Sequence, residues 1–154
     1  MLISNPFYKI PVPKQIPLSM REFINNHKKK GKLGFLKAAF MEVAKQATGE
    51  RYNVFLKIGR AWINDVKKLW NCDKYLHCNH TSLLLRTLLV KSKLFSEKDI
   101  KQVFTTTFLI VPHLYVKVRI NSKEYCLDPW AYRFGIKFND HARAFHKGSF
   151  KVIR

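Results

Sequence analysis

Leu114, Val116, Val118 and Ile120 alternate with Tyr115, Lys117 and Arg119, and the run ends at Asn121-Ser122. A period of two followed by a two-residue turn signal dictates a β-hairpin. Lys123 to Asp128 is then the return strand. A two-residue turn also sets the register. Val118 faces Tyr125, Val116 faces Leu127, and Arg119 faces Glu124, so apolar meets apolar and opposite charges meet. In the same register Tyr115 lies opposite Asp128. His113 is then on the diagonal from Asp128 and on the same face, about 7–8 Å away by backbone, within reach of an imidazole. Lys117 and Arg119 share that face and must point away as the hairpin twists.

Upstream of the hairpin the period is helical. Phe35, Leu36, Ala39, Phe40 and Val43 predict an amphipathic helix over 33–47, stopped at Thr48-Gly49. Val54, Phe55, Ile58, Trp62, Val66 and Leu69 predict a second over about 52–70, with Trp62 and Trp70 as core residues. Leu83, Leu84, Leu85, Leu88 and Leu89 make a third helix that must be largely buried. It starts near Cys78 or Asn79, where Asn79 or Thr81 is suited to cap it. Ser96-Glu97-Lys98-Asp99 reads as a turn or short helix start. Val103 to Val111 is rich in Thr, Phe and β-branched residues, and a last strand is expected at 150–153. Pro6, Pro11, Pro13 and Pro17 make residues 1–19 an extended arm. Helices first and antiparallel strands second give an α+β class, with N-terminal helices packed on the sheet. Residues 1–50 (arm plus first helix) and 51–154 (core) form a single compact domain in this reading.

The charge is extreme. Lys and Arg number 29 against 10 Asp and Glu, a net +19. Residues 1–77 carry 15 basic and 5 acidic residues, and residues 78–154 carry 14 and 5, so the excess is no detachable tail. Such a field favours nucleic acid, an anionic surface or an acidic partner. Lys28, Lys29, Lys30 and Lys32 are the densest run and the candidate polyanion contact; the bland reading is a solvated basic face. At 47% hydrophobic and 14% aromatic, the chain is too apolar for a disordered one. Three cysteines without an apolar leader argue against a disulfide framework and for a reducing, cytoplasmic setting. No stretch has the length of a membrane span.

Cys78 at a helix N-terminus has the dipole and unpaired N–H groups that favour a thiolate. With His113 and Asp128 it completes a Cys–His–Asp triad: thiolate, imidazolium, and a carboxylate that orients the ring. The Cys78 N–H is an oxyanion donor, and Asn71 or Tyr75 is a candidate for a second. The plain alternatives are a buried structural thiol, a surface histidine at a strand start, and a turn-forming Asp before Pro129. Cys72, His77, Cys78 and His80 also cluster, with His141 and His146 downstream. The C-x4-H-C-x-H spacing matches no standard structural zinc site, and neither metal nor cofactor is expected. Cys72 and Cys126 read as ordinary buried thiols.

These segments resemble those of a known family. Cys78-Asn79-His80-Thr81-Ser82-Leu83-Leu84-Leu85-Arg86-Thr87-Leu88-Leu89 is similar to the nucleophile helix of transglutaminase-like proteins. Pro112-His113-Leu114-Tyr115-Val116-Lys117-Val118 resembles their histidine strand, and Tyr125-Cys126-Leu127-Asp128-Pro129-Trp130 their aspartate strand. The resemblance covers residues 75–130. It departs from the pattern at His77 and Asn79, where Gly and Trp are common, and at Val90-Lys91-Ser92, where Gly-Ile is common. It implies a transglutaminase-like, papain-like core and a peptidase, amidase or glutamine acyltransferase acting on a protein or peptide. The rival expectation is a basic, non-catalytic protein that docks on nucleic acid or nucleoprotein.

Overall fold

The computed structural model describes residues 9–47, 58–72, 76–107 and 111–142. Among the described residues four α-helices precede a three-stranded antiparallel sheet of order β1-β2-β3: α1 (Leu18–His27), α2 (Gly31–Gln46), α3 (Val66–Trp70), α4 (Cys78–Lys91), β1 (Ile100–Thr107), β2 (Val111–Ile120) and β3 (Lys123–Leu127). The class is α+β. No helix among the described residues is long and apolar enough to cross a membrane.

The hairpin register is the expected one. Val116 pairs with Leu127, Val118 with Tyr125 and Arg119 with Glu124. The turn stands on Asn121, whose φ of 55° is a left-handed conformation that asparagine tolerates. The ion pair differs from the expectation: Glu124 bonds Lys117 at 2.8 Å rather than its direct partner Arg119, which stays exposed. Diagonal neighbours on a twisted pair lie within reach of a lysine. The same pair accounts for one of the two cations on the His113 face. β1 joins β2 on the other side, from Ile100↔Val118 to Thr107↔Val111.

Helix α4 is the central post. Every residue from Asn79 to Leu89 is buried. Its leucines share one core with Met20 and Ile24 of α1, Phe35, Leu36 and Phe40 of α2, and Val116 and Val118 of β2. Arg86 is buried within it. Its Nη1 donates to the Ile10 carbonyl (2.9 Å) and to Gln102 Oε1 (3.4 Å), and burial lowers its pKa while Glu97 opposes the shift. Lys91 Nζ donates to the Lys14 carbonyl at 2.9 Å. Two cations of one helix thus strap the extended arm to the core.

Three expectations are corrected. Leu18–His27 is a helix, where the proline spacing suggested an extended arm up to residue 19. Pro17 stands at its N-cap, where a missing N–H costs nothing. Met20, Phe23, Ile24 and His27 carry the i, i+3, i+4, i+7 pattern, diluted by polar residues. The helix expected over 52–70 is interrupted. Ile58–Trp62 is a 3₁₀ turn, and α3 begins after Asp65, whose carboxylate accepts from the N–H groups of Lys67 (2.9 Å) and Lys68 (3.4 Å). An Asp at that position satisfies two orphan donors of a new helix better than it serves a continuing one. Trp70 is buried as expected, but Trp62 is 41% exposed, because the break turns it off the stripe. The cap of α4 is neither Asn79 nor Thr81. His77 holds the N-cap, and its N–H donates to Nδ1 of His80 at 3.2 Å in a capping-box arrangement. Residues 48–57 and 150–153, with the stop at Thr48-Gly49 and the last strand, lie outside the described residues.

Leu88 has no exposed surface at the middle of α4. Leu88→Ala should cost about 2–5 kcal/mol in a urea unfolding measurement, since the surrounding helices and sheet cannot collapse on the cavity.

Candidate active site

β3 pairs with β2 only as far as Leu127↔Val116. Residues 113–115 of β2 therefore run past the end of β3, and the chain after Leu127 turns back over them. That turn places Asp128 against His113. His113 Nε2 donates to Asp128 Oδ2 at 2.6 Å, with the two side chains 2% and 0% exposed. Asp128 has two further donors. Ala131 N–H bonds Oδ1 at 3.1 Å, and Ala142 N–H bonds Oδ2 at 2.9 Å. A carboxylate with no solvent must have its lone pairs answered, and here an imidazole and two backbone amides answer them. The hydrogen bond to Ala131 is the local turn that an Asp before proline forms. The turn role and the histidine-partner role belong to the same carboxylate and are not alternatives.

Cys78, half-buried at the first position of α4, is within hydrogen-bonding reach of the His113 ring. Asp128 occupies Nε2, so Nδ1 is the nitrogen left for the sulfur. Burial alone would lower the pKa of His113. The Asp128 carboxylate outweighs it through charge and hydrogen bond, Cys78 adds to it, and the pKa rises to about 10. The ring is an imidazolium at neutral pH, flanked by a carboxylate and a thiol. By helix geometry the N–H of Cys78 has no acceptor four residues back, so it is a donor beside its own sulfur.

The first turn of α4 is held from outside. Asn79 Nδ2 donates to the Ala61 carbonyl at 2.7 Å, pinning the 3₁₀ turn to the helix start. Thr81 Oγ1 donates to the Cys78 carbonyl at 3.0 Å. His80 is buried, and its pKa falls to about 4, chiefly by burial and then by the charge of His77. Its ring is neutral, with Nδ1 engaged as an acceptor for the His77 N–H. It braces the cap, and it is not a second proton carrier beside the thiol.

Of the other expected residues, Asn71 is exposed just after α3, and Tyr75 lies outside the described residues. Cys72 and Cys126 are half-buried rather than buried. Arg60 Nη2 donates to the Cys72 sulfur at 3.3 Å, and Cys126 N–H donates to Asn139 Oδ1 at 3.1 Å. Among the described residues no three His, Cys, Asp or Glu side chains are grouped to hold a metal ion. Lys28, Lys29 and Lys30 form a 3₁₀ turn between α1 and α2, followed by Gly31 at a φ of 72°. Successive side chains of such a turn point about 120° apart, so the three do not make one flat patch. Lys32 Nζ lies 5.9 Å from the Phe95 ring centroid, beyond the C-terminal end of α4. The basic corner and the thiol thus sit at opposite ends of a helix about 20 Å long.

Sequence reasoning missed the cover of the site. Trp130 lies 5.2 Å from the His113 ring, and Tyr115 stacks on His141 at 3.9 Å and 5°. Residues 129–142 close over 113–115, while Lys117 is half-buried and Arg119 exposed. Leu127↔Asp140 is a parallel bridge, so this segment is tied to the end of β3. The one available signal was Asn139, whose φ of 69° makes a turn. Comparison with models of known protein families, with curated proteins and with solved structures finds no match for this chain.

The His113 shift has a consequence for stability. Its folded pKa lies above the unfolded value near 6.5, so the pair stabilises fully below pH 6.5, and that contribution disappears as pH rises through about 10. Unfolding free energies measured from pH 6 to 10.5 should fall by about 1.4 kcal/mol per unit more steeply for the native chain than for His113→Gln.

Proposed function

We propose that this chain is a cysteine hydrolase or acyltransferase of the transglutaminase-like type, acting on peptide or side-chain amides. The observation that carries the reading is the buried 2.6 Å His113–Asp128 hydrogen bond, with Cys78 near enough to His113 to raise its pKa. The resemblance of the three segments around these residues supports it, as does the order helix, histidine strand, aspartate strand.

The chemistry follows from the charges. The Cys78 thiolate attacks the amide carbonyl and forms a carbon–sulfur bond, and the Cys78 N–H donates to the oxyanion. His113, already protonated, gives its Nδ1 proton to the leaving amine as the carbon–nitrogen bond breaks. A thioester acyl-enzyme remains. Water attacks it, neutral His113 takes the proton, the carbon–sulfur bond breaks, and the carboxylic acid leaves with the thiolate and imidazolium restored. An amine in place of water gives a crosslinked amide. Water needs no acceptor site, so hydrolysis is the simpler outcome. Asp128 touches no substrate and keeps the ring oriented and charged. The +19 field draws acidic proteins and peptides towards the site as substrates.

Iodoacetamide labelling read by mass spectrometry tests the core of this. Cys78 should be modified ahead of Cys72 and Cys126 at mildly acidic pH, and His113→Ala should abolish the preference. Equal labelling of the three thiols sinks the proposal. A second expectation concerns pH: amidase activity on a fluorogenic peptide should persist through neutral pH and fall only near pH 10, where His113 loses its proton. An alkaline limb below pH 8 would contradict the assigned role of His113.

A further inference from the structure

The ring pair Tyr115–His141 lies next to the triad but belongs to none of its steps. Tyr115 is two residues beyond His113 on β2, on the same face. His141 is stacked flat on it at 3.9 Å. His141 Nδ1 also lies 3.3 Å from the Ala142 carbonyl, which ties the ring to the backbone of the next residue. The next N–H, that of Ala142, is the one that bonds Asp128 Oδ2, the oxygen that also receives His113. Two other ties hold this segment to β3, the Cys126 N–H on Asn139 Oδ1 and the Leu127↔Asp140 bridge. Both lie N-terminal to Ala142. The stack is a third tie, and it holds the segment against the histidine strand.

We infer that His141 is a positioning residue for the thiol site: its stack on Tyr115 delivers the Ala142 N–H to Asp128 and so holds that buried carboxylate in line with His113. The inference rests on the triad reading and adds a residue that the triad does not contain. The physical argument is one of donors. A buried carboxylate that loses one of its three donors is held in place by fewer bonds and can turn from His113. A carboxylate that turns away no longer orients the imidazolium, and the imidazolium no longer supports the thiolate. Cys78 then reacts slowly at mildly acidic pH even though Cys78, His113 and Asp128 are all present.

The test is the rate of Cys78 alkylation by iodoacetamide between pH 4 and 9, on the full chain, with thermal unfolding recorded alongside. His141→Ala should slow the reaction at pH 6 by about tenfold, the worth of a lost hydrogen bond to a charged group. It should also move the profile to higher pH. His141→Phe keeps the flat stack and should restore most of the rate. Superimposable profiles for His141→Ala and the native chain would overturn the inference. Lost stability with an unmoved profile would overturn it too, since that is what a merely structural residue gives. Should the alanine variant not fold, hydrogen exchange on the native chain decides: the Ala142 amide should be protected, and an unprotected amide sinks the proposal. His113→Ala separates the two levels. If it leaves Cys78 reactivity unchanged, the triad reading itself fails; if it slows alkylation while His141→Ala does not, only the present inference fails.

Discussion

The hydrogen bond between His113 and Asp128 is the interaction on which the C-terminal half of this structure depends. A charged carboxylate with no exposed surface is among the costliest groups a small protein can hold. It persists here because the chain surrounds it with donors: an imidazole from β2 and the amides of Ala131 and Ala142. Those donors dictate the path of residues 129–142. The backbone must turn tightly after Asp128 to present Ala131, and must come back past β3 to present Ala142. The cover over His113 and Tyr115 is a product of that requirement.

The other half is organised by α4. It is buried on all sides, so its position is fixed by packing rather than by helix propensity. Its two ends are treated differently. At the C-terminal end Lys91 and, one turn in, Arg86 hold the extended arm by its carbonyls, which lets a strongly basic chain use cations as internal ties. At the N-terminal end His77, His80 and Asn79 brace the first turn, and Cys78 is half-buried beside them. The polar residues around the thiol are thus supports, and the chemistry proposed for the site falls to three side chains.

The arrangement also separates the two properties that the sequence made conspicuous. Positive charge is spread over the surface, and its densest run lies near the far end of α4 from the thiol. The thiol site is instead governed by one local pair, whose strength comes from exclusion of water. Long-range charge acts through solvent over the whole surface, and the buried pair acts only on its neighbours.

By itself the sequence determined the hairpin, its register and the burial of α4, because those follow from periodicity and from a turn of fixed length. The His113–Asp128 pairing was legible for the same reason: a register places the two close before any packing is known. Tertiary structure decided what periodicity cannot encode. The apolar stripe through Ile58, Trp62 and Val66 suggested one helix, yet the chain breaks at Asp65, where a cap competes with continuation, and the Ala61 carbonyl is then free to accept from Asn79. The helix at Leu18–His27 was hidden by its polar residues and gains its stability from packing on α4 and α2. The donors to Asp128 from Ala131 and Ala142 are backbone amides, identical in every residue but proline, so no side-chain pattern could announce them. Only the folded path of the chain brings them to the one buried charge that needs them.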